Sequence, residues 1–121
     1  MGNAILTSRN GTPQNQDESS GCKIETPAYD GSRTITFSKK PKFISIVGIG
    51  ISGGGVNFIF HPDKNCGIYY THYSGEDVTA IGINSGISFS TNSDGYVKMT
   101  IPSNHTALCS SAYSYSVFAI I

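Results

Sequence analysis

Apolar and polar residues alternate with a period of two in one short run of this chain after another. In "RTITFS" (33–38), Ile35 and Phe37 alternate with Thr34, Thr36 and Ser38, the pattern of a strand with one buried face. "FISIV" (43–47) runs into a glycine-rich stretch, and "VNFIFH" (56–61) places Val56, Phe58 and Phe60 on one face. "CGIYYTHY" (66–73), "VTAIGI" (78–83) and "ISFST" (87–91) follow. "YVKMTI" (96–101) aligns Val97, Met99 and Ile101, and "AYSYSVFAII" (112–121) alternates before turning apolar on both sides. Turn residues separate runs that recur about every 8–12 residues, the signature of a sandwich or barrel. No stripe of helical period stands out.

The pattern predicts an all-β fold, an antiparallel β-sandwich of jelly-roll-like or Ig-like type with about nine strands. Its expected core is Ile35, Phe37, Ile44, Ile46, Phe58, Phe60, Ile83, Phe89, Val97 and Met99. Residues 8–21 lack periodicity and nearly all apolar content, so residues 1–21 read as an N-terminal arm or linker and 22–121 as the sandwich domain. "KKPK" (39–42) reads as a turn or edge with a solvated basic cluster.

Composition narrows the function. Of 121 residues, 13% are charged, with Lys+Arg (8) balancing Asp+Glu (8), which leaves no electrostatic footprint for nucleic acid. No run approaches the roughly 20 apolar residues of a membrane helix. Neither membrane insertion nor a secretory signal segment is expected. The start "MGNAILTS" has Leu6 where N-myristoylation wants Ser or Thr. The three cysteines, Cys22, Cys66 and Cys109, are an odd number and read as reduced thiols made in a cytosol.

Gly48-x-Gly50-x-x-Gly53 has the spacing of a dinucleotide-binding fingerprint. That motif requires a helix after it, and the period of two in Val56-x-Phe58-x-Phe60 predicts a strand instead. "IGISGGGVNF" (49–58) and "IGINSGISF" (81–89) both read as hairpins, with Gly48 and Gly50 inside a strand at bulges or under a close-packed neighbour. No cofactor is expected. His61, Cys66, His72 and His105 match no zinc spacing, so no metal site is expected. Asp63, Glu76, Asp77 and Asp94 sit in turn-like contexts, and no acid–base set can be assembled, so the chain reads as non-enzymatic.

The candidate binding residues are aromatic. Tyr69, Thr71 and Tyr73 share one strand face, opposite Cys66, Ile68, Tyr70 and His72. Exposed tyrosine beside threonine suits a receptor or sugar contact; otherwise the same rings cover a sheet within the fold. Ile5, Leu6, Phe118 and Ile120 are candidate subunit contacts, because an apolar start and a two-sided apolar end both need burial.

"DGSRTITFSKKPKFISIVGI" (30–49), "GISFSTNSDGYVKMTI" (86–101) and "YSYSVFAII" (113–121) resemble segments of small β-rich virion proteins of tailed phages and prophages. The resemblance implies a virion protein made in the bacterial cytoplasm, a tail-fibre tip, baseplate or capsid-surface domain, commonly trimeric. Its partners would be its own copies, other virion proteins and a host-surface glycan, with host attachment as its task. Capsid decoration is the alternative. A free carbohydrate-binding module is a third reading, for which a Trp platform would be expected; the chain has no Trp.

Overall fold

The structure, a computed structural model, describes residues 22–51, 53–72, 79–81 and 86–121. Nine strands are present among them: β1 (Ile24–Glu25), β2 (Thr34–Phe37), β3 (Phe43–Gly50), β4 (Gly55–His61) and β5 (Cys66–His72), then β6 (Thr79–Ile81), β7 (Ser88–Thr91), β8 (Val97–Thr100) and β9 (Tyr113–Ile120). The remaining regular elements are two single 3₁₀ turns, Pro62–Lys64 and Thr106–Leu108. All strand pairs are antiparallel, in a six-stranded sheet ordered β1-β9-β3-β4-β5-β6 and a three-stranded sheet ordered β2-β8-β7. The fold is an all-β sandwich.

The period-two runs form strands because one face of each meets the core. In β2, Ile35 and Phe37 are buried between exposed Thr34 and Thr36, and in β4 Val56, Phe58 and Phe60 alternate in the same way. Inward residues of the large sheet, with Ile44, Ile46, Val117 and Ala119 among them, share one core with Ile35, Phe37 and Met99 of the small sheet. The Phe60 ring stacks on Phe58 of its own strand (5.7 Å) and on Phe89 of the small sheet (6.3 Å), which joins the layers. Of the expected core, Phe89 is only half-buried and Ile83 lies outside the described residues; the other eight are buried.

The glycine-rich stretch is a hairpin. Its turn is held by the Gly50 N–H donating to Gly54 O (2.8 Å) and the Gly53 N–H donating to Gly50 O (3.2 Å), with Gly53 at φ +94°. Strand β4 occupies the place where a dinucleotide fingerprint requires a helix. Gly48 and Gly50 pair with Tyr115 and Tyr113 of β9, whose rings lie over them, so the close-packed neighbour is the reason for glycine there. Of the similar segment 81–89, residues 82–85 lie outside the described residues. Its flanking strands pair elsewhere, β6 with β5 in the large sheet and β7 with β8 in the small one. A local string specifies a turn, but not which strands its arms will find.

Candidate functional site

The two sheets present unlike outer faces. On the small sheet the outward positions are Thr34, Thr36, Ser88, Ser90, Lys98 and Thr100, a polar surface suited to water. The four central strands of the large sheet, β9, β3, β4 and β5, contain no Asp, Glu, Lys or Arg at all. Their outward face is built in rows across the sheet. Phe118 pairs with Ser45, which pairs with Ile59, which pairs with Ile68. The next row runs Ser116, Val47, Asn57 and Tyr70. Beyond it come Ser114, Ile49, Gly55 and His72.

This face is open and lacks Asp, Glu, Lys and Arg, with apolar side chains set among Ser, Asn, Tyr and His. Phe118 is 42% exposed, Val47 41% and Ile49 65%, and Ile24 on β1 extends the face at one end. Large and small side chains alternate along most rows, so the surface has knobs beside hollows. A shallow groove lined by Pro27, Ala28, Val47, Ser116 and Phe118 runs along its β9 side. Sheets that face water ordinarily put charged or polar residues at such positions. Phe118, Val47 and Ile49 are exposed where a wet sheet face would ordinarily carry polar side chains.

The expected binding residues divide. Strand β5 does alternate as Tyr69 and Thr71 against Tyr70 and His72, but the sides are reversed from a binding role. Tyr69 is 7% exposed and belongs to the core, and Thr71 is half-buried on the same inward face. Tyr69 is therefore corrected from a receptor contact to a core residue. Its ring meets Phe58 edge-on, and its hydroxyl is hydrogen-bonded to His105 Nδ1 at 3.1 Å. The aromatic body fills the sheet interface while buried His105 satisfies the polar tip, which is why the ring points inward. Tyr73 lies outside the described residues. Of the expected subunit contacts, Phe118 is exposed and Ile120 half-buried on the outward face, while the alternate residues Val117 and Ala119 are core. Ile5 and Leu6 lie outside the described residues.

A second polar cluster ties the segment before β2 to the loop before β9. The Tyr29 hydroxyl donates to Leu108 O (2.6 Å) and accepts from the Arg33 N–H (3.1 Å). Arg33 Nε donates to Ile101 O (2.8 Å), and these bonds hold Arg33 at φ 81°. The Tyr115 hydroxyl donates to Ala107 O (2.6 Å) and accepts from the Ser110 N–H (3.0 Å). Burial pushes the Tyr29 phenol well above its ordinary range and the Cys109 thiol upward, the latter partly offset by Tyr29 and Arg33. The carbonyl and N–H groups bonded here belong to the backbone of these loops, so the cluster fastens the fold.

His61 is paired with Cys66 across β4 and β5, and His72 sits at the far end of β5, while His105 is in the core. Among the described residues, no three His, Cys, Asp or Glu side chains gather as a metal site would require. No helix among them is long and apolar enough to cross a membrane. No family model, curated protein or solved structure matches the chain.

Sequence reasoning overlooked Val47 and Ile49 as surface residues. The signal was present: "FISIVGIGI" (43–51) is apolar at both parities, and four strands running without a charge leave nothing to mark a wet face.

Proposed function

We propose that the chain is a non-enzymatic structural protein of a bacteriophage particle, carried on its surface at the tail and acting in host attachment as a homo-oligomer. The observation that carries this reading is the contrast between the two outer faces. One sheet is dressed for water, and the other presents Phe118, Val47 and Ile49 on a surface free of charged side chains. That is the arrangement of a subunit that works by packing against other protein surfaces. The likeness of residues 30–49, 86–101 and 113–121 to small virion proteins supplies the particle, and a trimer is the assembly that likeness suggests.

Receptor contact then falls to surfaces away from the apolar face. Tyr96, 49% exposed beside Asp94 at the β7–β8 turn, is an exposed aromatic of the kind that stacks on a glycan.

The test is mass spectrometry of purified particles, from a phage or induced lysogen encoding the chain, separated into tails and heads. Peptides of the chain are expected in the tail fraction. Recovery from heads instead would replace attachment with capsid decoration, and absence from particles would overturn the virion reading altogether.

A further inference from the structure

We infer that the outward face of the six-stranded sheet, centred on Val47, Ile59 and Phe118, is the surface through which copies of this chain pack on one another. The inference rests on the proposed self-association and assigns its contact surface.

Three features point to a second copy as the occupant. First, the strands that make the face hold no Asp, Glu, Lys or Arg, so a partner chosen by charge finds nothing to pair with. Second, the relief complements itself. Phe118, Val47, Ile49 and Tyr70 project beside Ser45, Ser116, Gly55 and Asn57, so the projections of one copy have hollows to enter on another. Third, the area is sufficient. Four strands about 4.8 Å apart and about 27 Å long present about 500 Å² per copy, and two copies together about 1,000 Å², the size at which specific interfaces begin.

The polar face of the small sheet supplies the control. In an assembly built this way Thr36 and Lys98, exposed on the other sheet, stay in water.

Light scattering coupled to size-exclusion chromatography on the full-length chain decides the matter. Wild type is expected to be oligomeric at micromolar concentration. The pair Val47→Lys and Phe118→Lys should raise the dissociation constant at least about 100-fold, because each copy would bury charges without partners. Circular dichroism should show the same β spectrum, since both side chains point away from the core. Val47→Ser with Phe118→Ser, a milder pair, should weaken assembly in the same direction if the lysines impair folding. Thr36→Lys should leave assembly unchanged. An oligomer that survives both Val47/Phe118 pairs overturns the face but leaves self-association standing. If Ile5→Ser with Leu6→Ser dissociates it where those pairs do not, the contact belongs to the N-terminal arm and the inference is wrong. A monomeric wild type overturns the self-association on which it rests.

Discussion

The Tyr115 ring lies over Gly48 of the neighbouring strand so closely that a Cβ on Gly48 would sit 2.7 Å from ring Cε1 and 2.8 Å from Val56 Cγ1. Tyr115 cannot swing aside cheaply, because its hydroxyl is held by Ala107 O and the Ser110 N–H. A ring that covers a glycine supplies the apolar contact the glycine lacks, and the pair fills the sheet interface as one unit.

Gly48→Ala should therefore destabilise the fold by about 1–3 kcal/mol, the usual range for forcing extra atoms into a packed core. Gly50→Ala should cost less, since its Cβ would meet the Tyr113 ring at 3.0 Å with no second side chain against it. Urea unfolding monitored by circular dichroism measures both. An unchanged midpoint for Gly48→Ala would show that the ring does not constrain this position.

Tyr29 makes stability depend on alkaline pH. Burial holds its phenol above the ordinary value of 10, so the folded state keeps the neutral form after the unfolded chain would ionise. The sign follows from linkage. The stabilisation is complete below about pH 10 and is lost as pH rises through the higher folded value. The melting temperature of wild type should fall above about pH 10 more steeply than that of Tyr29→Phe, and equal slopes would contradict this. At neutral pH Tyr29→Phe should cost about 1–3 kcal/mol by leaving Leu108 O and the Arg33 N–H without this partner.

Glu25 makes the opposite contribution at acid pH. Desolvation pushes its carboxyl up, but bonds from the Ser38 hydroxyl and the Ser38 N–H, with Lys23 nearby, outweigh it and leave the pKa below the ordinary 4.5. The stabilisation is present above about pH 4.5 and is lost as pH falls through the lower folded value. NMR titration should find the Glu25 midpoint depressed in wild type and higher in Ser38→Ala. A midpoint that ignores Ser38→Ala would remove the assigned cause.

The three thiols are free and differently placed: Cys22 is exposed, while Cys66 and Cys109 are half-buried. Because burial raises the Cys109 pKa, it holds less thiolate at a given pH. Timed alkylation with iodoacetamide at mildly alkaline pH, read by peptide mapping, should modify Cys22 first and Cys109 last. A reducing agent should leave the melting temperature unchanged, and early reaction of Cys109 would show its loop to be open.

What the sequence alone determined about this protein is its local geometry. Period-two runs such as Thr34–Phe37 and Gly55–His61 named the strands, their inward residues and the all-β class, because a side chain's face follows from its parity along the strand. The run after Gly53 was likewise enough to place a strand where a cofactor motif needs a helix. Tertiary structure decided everything that depends on what lies opposite. Parity put Tyr69 and Thr71 together but not on which side, and the core took them because Phe58 and His105 wait there. Likewise, the strands flanking two similar glycine-containing strings pair differently, β3 with β4 but β6 with β5 and β7 with β8, since pairing partners are chosen across the fold. The charge-free outer face formed only when β9, from a distant part of the chain, was laid beside the consecutive strands β3, β4 and β5. Such a surface is a property of the sheet order, which no single strand carries.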